Sequence, residues 1–140
     1  MTDGQGSVSA LPPWGLTHGV GTDLIHQTRI EQVLERHGQR FVVRILTPAE
    51  RDRYAQVSNP INYLTKSFAA KEALSKALGT GIAQGVSFQD FEITRDAAGV
   101  PVVMVQGEAK RLIEQHAQAT GLRLSLSDDD GWVQAFAVLT

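Results

Sequence analysis

Residues 59–81, N-P-I-N-Y-L-T-K-S-F-A-A-K-E-A-L-S-K-A-L-G-T-G, constrain the fold more than any other stretch, because they carry a helix start, a helix stop and helical apolar spacing between them. Asn59 suits an N-cap, and Pro60 follows at the first helical position, where a missing N–H costs nothing. Gly79 supplies the stop, since glycine enters a left-handed C-terminal turn without steric penalty. At about 100° per residue, Ile61, Leu64, Phe68 and Leu78 share an apolar stripe. Glu72 lies one turn after Phe68 at the edge of that stripe, Lys76 one turn after Glu72, and Lys71 borders the other side. Taken alone, the stretch fits an amphipathic core helix with a surface Glu–Lys pair. It also aims a carboxylate at a half-buried seam, where it needs a cationic partner. Gly79-Thr80-Gly81 then forms a flexible turn whose backbone can approach a ligand closely.

Composition narrows the function classes. A chain of 140 residues accommodates one core. The formal net charge of -2 supplies no global basic field of the kind nucleic-acid binders use. The absence of cysteine excludes disulfides, zinc–thiolate sites and thiol nucleophiles, and suits a reducing compartment. No apolar run approaches the roughly 20 residues needed to span a bilayer, and no signal peptide is recognisable. The expectation is a cytoplasmic protein without membrane insertion. Residues 1–14, rich in Gly, Ser and Pro, read as a disordered extension, and residues 15–140 as a single domain.

Along the chain, residues 16–25 read as a strand containing glycines, which mark a bulge or a close backbone approach. Asp23 within it is unusual: an aspartate among apolar residues with no turn chemistry to explain it, unless it is a cap or a surface residue. Residues 28–38 read as a short amphipathic helix, with Thr28 and Glu31 matching a capping box and Gly38 as its stop. Arg29 sits at its start, against the helix dipole. Residues 40–46 fit either a short helix or an extended segment, with Arg40 and Arg44 one helical turn apart. T-P-A-E then opens a helix from Thr47 to about Val57. Residues 86–95 alternate as a strand with a possible bulge at Asp90, D-A-A-G turns, and residues 100–106 return as the hairpin partner. Residues 107–120 read as a helix with Leu112, Ile113 and Ala117 inward and Gly121 as its stop. Residues 122–126 and 132–139 are strands around the polar turn region S-D-D-D-G. The pattern is α+β: a mainly antiparallel sheet with a long central helix and shorter helices packed on it.

Asp23 and Glu72 are the carboxylates next to apolar positions, on separate elements. If the first strand packs along the central helix they converge. A converging Asp and Glu without His or Cys suits a hard cation such as Mg²⁺, which is completed by water and substrate phosphates. Lys66, Lys71 and Lys76 on the same helix would neutralise those phosphates. The set points to phosphoryl-type transfer from a phosphorylated cofactor. No P-loop, kinase motif, Ser-His-Asp arrangement or HExxH is present, and His18, His26, His37 and His116 are scattered as surface histidines are.

Three segments, G-V-G-T-D-L-I, F-A-A-K-E-A-L-S-K-A-L-G-T-G and F-Q-D-F-E-I-T-R-D-A-A-G-V-P, occur in an order that resembles holo-[acyl-carrier-protein] synthases, the short bacterial-type 4′-phosphopantetheinyl transferases. The resemblance runs from about Leu16 to the C-terminus. It implies transfer of the phosphopantetheine arm of coenzyme A to a serine of apo acyl carrier protein, releasing adenosine 3′,5′-bisphosphate, in support of fatty acid biosynthesis. It implies that Asp23 and Glu72 bind Mg²⁺, that Glu72 and Lys76 act in catalysis, and that Lys76, Gly79, Thr80 and Gly81 meet coenzyme A, with Lys66 expected beside them from its place on the same helix. Arg29, Arg40 and Arg44 match the basic residues that face the acidic carrier protein, and a homotrimer with active sites between subunits is implied. Three positions depart from the common family pattern: His26 replaces a glutamate, Ser67 an arginine and Asp128 a histidine. A mechanism that gives base duty to that histidine does not transfer. Glu72 or a metal-bound water would take the serine proton. The rival readings are a non-catalytic module that keeps coenzyme A or carrier affinity, and a structural oligomer subunit. Turnover separates the first rival from the enzyme, and ligand binding separates the second from both.

Overall fold

A computed structural model describes residues 17–140; the expectation for residues 1–14 lies outside them. Strand β1 (Gly19–His26) leads into helices α1 (Gln27–His37), α2 (Gln39–Ile45), α3 (Pro48–Tyr54) and the long α4 (Pro60–Ala77). A 3-10 turn (Phe88–Asp90), the hairpin β2 (Phe91–Arg95) and β3 (Pro101–Val105), α5 (Gly107–Gln115), and strands β4 (Leu122–Asp129) and β5 (Trp132–Leu139) follow. The architecture is the expected α+β, with the strands divided between two antiparallel sheets, β1-β5-β4 and β2-β3. Helix α4 lies across the inner face of the three-stranded sheet, packed most extensively on β1 and β5.

Small residues allow that packing. A Cβ on Gly19 would stand 2.0 Å from the Ala77 carbonyl oxygen, and one on Gly21 would stand 2.1 Å from the Ala73 carbonyl oxygen. Ala135 and Ala137 on β5 and Ala69, Ala70, Ala73 and Ala77 on α4 are all buried. Of the two readings of the strand glycines, close backbone approach is the one that holds.

Both ends of α4 follow from its sequence. The Asn59 side chain accepts from the Asn62 N–H at 3.2 Å, Pro60 opens the first turn, and Gly79 ends it with φ of 86°. Its buried surface is wider than the stripe read from apolar spacing. Leu64 and Leu74 are fully buried, whereas Ile61, Phe68 and Leu78 are only partly covered. Short side chains let neighbours close around the helix, and its buried hydroxyls bond back to the helix itself. Thr65 Oγ1 donates to the Ile61 carbonyl at 2.7 Å and Ser67 Oγ to the Tyr63 carbonyl at 3.0 Å.

Several boundaries differ from the sequence reading, each for a local reason. Helix α1 is capped by His26, whose Nδ1 accepts from the Thr28 N–H at 3.2 Å, and not by a Thr28–Glu31 box. Residues 39–45 are helical. Helix α3 opens with the expected Thr47–Glu50 capping box but ends at Tyr54. Residues 88–90 form a 3-10 turn in place of the start of a strand, because Asp90 turns inward and accepts from the Ala109 N–H of α5 at 3.1 Å. Helix α5 ends at Gln115, well before Gly121, and Ala117 is exposed. Strand β4 continues to Asp129, and a two-residue turn follows in which Asp130 and Gly131 have φ of 52° and 81°.

Lys71, on the far side of α4, is fully buried. Its ammonium donates to Glu50 Oε1 at 2.6 Å and to the Ile45 carbonyl at 2.7 Å. Glu50 Oε1 also accepts from the Thr47 N–H, and Oε2 accepts from the Ile93 N–H at 2.7 Å. One ion pair thus ties α2, α3, α4 and β2 together beneath the helix.

Candidate active site

The contact of Gly21 with α4 brings the next inward-facing residue of β1, Asp23, over the middle of the helix. Lys76 links the two elements: its ammonium lies 3.3 Å from Asp23 Oδ1 and 3.0 Å from the Thr22 carbonyl. Glu72 is half-buried one turn earlier. Its burial, then the Asp23 carboxylate, hold its pKa above the ordinary carboxylate range, against the opposing pull of Lys76 and Arg44. Asp23, Glu72 and Lys76 therefore act on one another electrostatically across the β1–α4 seam.

Two carboxylates sharing a partly desolvated site favour a cation, and one lysine ion-paired to Asp23 leaves the Glu72 side chain without a hydrogen-bonded partner of its own among the described residues. All-oxygen donors without His or Cys fit a hard divalent ion. Among the described residues no cluster of three or more His, Asp or Glu side chains forms a complete cage. The pair suits an ion that takes its remaining ligands from substrate and solvent.

The other residues singled out from sequence fall into separate regions. Lys71 is committed to Glu50 and does not reach the site, which corrects the expectation that it neutralises phosphates. Lys66 lies on another side of α4, in a cleft of about 450 Å³ that it lines with Arg53, Tyr63, Ser67 and Arg95. It pairs there with Asp128 at 3.7 Å. The turn at Gly79, Thr80 and Gly81 uses its N–H groups internally: Gly79 N–H donates to Lys76, and those of Thr80 and Gly81 to Ser75. What the turn offers a ligand is access, since nothing lies within 4 Å of a Cβ at Gly79 or Gly81.

Arg40 and Arg44 line a basic groove of about 420 Å³ with Val33, Arg36, His37 and Phe41. Arg29 is exposed on α1 one turn before Val33. Arg36, seven residues after Arg29 on α1, was the basic residue missed, and its helical spacing was the available signal. Arg44 also stands with its guanidinium 5.5 Å from the centroid of the Phe88 ring. It therefore joins the basic groove to the neighbourhood of Glu72.

Each of the three unusual positions has a defined environment. His26 caps α1, Ser67 bonds to the Tyr63 carbonyl, and Asp128 accepts from Asn62 Nδ2 at 2.9 Å.

The sequence profile of the 4′-phosphopantetheinyl transferase superfamily matches residues 19–137. The chain belongs to that superfamily. The holo-[acyl-carrier-protein] synthase of Photorhabdus laumondii is 43% identical over 121 residues, covering 86% of this chain and 95% of that protein. The synthase of Marinomonas sp. is 45% identical over 124 residues, with the same coverage. In the crystal structure of the Neisseria meningitidis enzyme the fold superposes with a TM-score of 0.83 at 41% identity, over 89% of this chain and 98% of that one. The Helicobacter pylori synthase, solved in complex with coenzyme A, gives 0.74 at 29% identity, over 86% and 99%. This phosphopantetheinyl transferase is thus an enzyme of the holo-[acyl-carrier-protein] synthase type, and its α+β architecture is theirs. No described helix of this transferase is long and apolar enough to cross a membrane.

Proposed function

We propose that this transferase moves 4′-phosphopantetheine from coenzyme A to a serine of apo acyl carrier protein, in a Mg²⁺-dependent reaction that supports fatty acid biosynthesis in the cytoplasm. The observation that carries the reading is the meeting of Asp23, Glu72 and Lys76 across the β1–α4 seam. Asp23 and Glu72 would hold the ion, which when bound draws charge off the coenzyme A pyrophosphate. The serine oxygen attacks the phosphorus that carries pantetheine, and the bond to the adenosine-side phosphate breaks. Holo carrier and adenosine 3′,5′-bisphosphate result, and the serine proton must be removed.

Glu72, or a water held at the site, would accept that proton. Lys76, about half exposed beside Asp23, can swing to the pyrophosphate oxygens as a point charge. The open turn at Gly79, Thr80 and Gly81 admits the cofactor near the end of α4. The Lys66 cleft, with Arg53 and Arg95, offers further positive charge for the remaining phosphate of coenzyme A.

The carrier reading rests on Arg29, Arg36, Arg40 and Arg44, which concentrate positive charge on a chain of net charge -2. Self-association is supported by the outer face of the three-stranded sheet, where Val20, Leu24, Trp132 and Phe136 are all exposed. A homotrimer that covers this face would set a neighbour's residues beside each site.

Calorimetry tests the cofactor half of the proposal. Wild type should bind coenzyme A more tightly with Mg²⁺ than with a chelator. Lys76→Ala should bind it about tenfold more weakly in Mg²⁺. Unchanged affinity in Lys76→Ala would reduce Lys76 to a partner of Asp23 alone.

A further inference from the structure

The 3-10 turn Phe88-Gln89-Asp90 has no part in the chemistry just described, yet its side chains hold the region around Arg44. The two N–H groups of Gln89 Nε2 are shared among three carbonyl oxygens at the C-terminal end of α2: Val43 at 2.9 Å, Arg44 at 3.2 Å and Leu46 at 2.8 Å. Those carbonyls include acceptors that the end of a helix leaves without intrahelical donors. Gln89 is itself held from behind, since its backbone carbonyl accepts from Gln106 Nε2 at 2.7 Å. Phe88 is buried and stacks on Phe68 with centroids 5.6 Å apart, and Phe68 meets Phe41 at 6.0 Å. Over the Phe88 ring stands the Arg44 guanidinium, 5.5 Å from its centroid. The residue's main chain is therefore fixed by Gln89 and its side chain by Phe88. A short α2 helix of seven residues has little rigidity of its own.

We infer that Gln89 and Phe88 are positioning residues for Arg44, and that through it they set the enzyme's affinity for its acidic carrier protein. The inference rests on the carrier reading proposed above. Arginine is long and entropically costly to hold, so a guanidinium already seated on a ring and a clamped backbone loses less freedom when it meets a carboxylate. The two side chains touch neither Asp23 nor Lys76, so coenzyme A should not register their loss.

Steady-state kinetics with both substrates, combined with a double-mutant cycle, test the inference. Gln89→Met keeps length and volume but removes the donor. It should raise carrier KM by about three- to tenfold, with coenzyme A KM unchanged. Phe88→Leu keeps an apolar core residue but removes the aromatic face. It should raise carrier KM by about two- to fivefold. In an Arg44→Ala background, Gln89→Met should add nothing to carrier KM, although thermal melting should record the same loss of stability as in wild type.

If Arg44→Ala raises carrier KM and Gln89→Met and Phe88→Leu do not, the positioning role is wrong. Equal rises for both substrates, or additive effects with Arg44→Ala, overturn it as well, since a merely structural role would give either. If Arg44→Ala leaves carrier KM unchanged, the carrier reading itself has failed and the inference goes with it.

Discussion

Gly21 of β1 lies directly against the main chain of Ala73 in α4, so that a methyl group there would stand 2.1 Å from the Ala73 carbonyl oxygen and 2.8 Å from Lys76 Cβ. Strand and helix touch backbone to backbone, which brings the carboxylates two residues on from Gly21 and one residue before Ala73 close enough to act on each other electrostatically. Gly21→Ala should therefore cost about 1–3 kcal/mol of stability through overpacking. It should also lower transfer by more than tenfold in the protein that remains folded, because Asp23 is pushed away from Glu72. Gly121→Ala, where nothing lies within 4 Å of the added Cβ, is the matched control and should change neither. Urea unfolding and initial rates on both variants check this.

Lys71 and Glu72 are neighbours in sequence with opposite tasks. Burial pulls the Lys71 ammonium below its ordinary pKa, against the opposing attraction of Glu50, and the pair is fully enclosed. Lys71→Met should strand a buried carboxylate and cost about 3–5 kcal/mol. Adding Glu50→Gln should recover part of that loss, since the stranded charge is then gone. Loss of less than about 1 kcal/mol in the single variant, measured by urea unfolding, would mean that the pair is not closed to water.

Glu72 gives a stability signature with a defined sign. Its pKa is raised in the folded protein, chiefly by burial and then by Asp23. Between the ordinary carboxylate value and the raised one, the folded chain binds a proton that the unfolded chain has released. Stability in a chelator should therefore fall as pH rises through that window. Glu72→Gln should melt at a higher temperature than wild type at neutral pH in chelator. The difference should close as pH drops below both values, and added Mg²⁺ should reverse it. A pH-independent difference between the two proteins would remove the unfavourable carboxylate pair from the account.

For the carrier protein, charge reversal is the sharpest probe. Arg44→Glu and Arg29→Glu should each raise carrier KM by about tenfold or more, with little change in coenzyme A KM. Arg44 should have the larger effect, because it is seated on Phe88. Wild-type carrier KM should also rise with added salt, since exposed charges are screened over roughly 8 Å at physiological ionic strength. Equal effects on both substrates would leave the groove a solvated basic face.

The features legible in the sequence were those whose physics is local. The Asn59–Pro60 start, the Gly79 stop and the Thr47–Glu50 capping box are short-range hydrogen-bonding and dihedral preferences. Asp23 and Glu72 were legible because each carboxylate interrupts an apolar pattern, and the β1–α4 packing brings them together. Lys71 was misread as a phosphate partner because Glu50 lies 21 residues away in the chain, and nothing in a helical pattern shows which lysine faces inward. The width of the buried surface on α4 escaped apolar counting because alanine and serine contribute little to hydrophobicity while admitting close neighbours. The Phe88-Gln89-Asp90 turn resembled a strand because its alternation was right. Asp90 broke it by capping α5, a contact with a helix that starts seventeen residues later.

The most direct measurement is the mass of an apo acyl carrier protein after incubation with this enzyme, coenzyme A and Mg²⁺. The account predicts a gain of one phosphopantetheine on the carrier with wild type, and none with a chelator present or with Asp23→Ala or Glu72→Ala, both variants remaining folded. A carrier left unmodified by wild type, or modified equally by the two carboxylate variants, would contradict it.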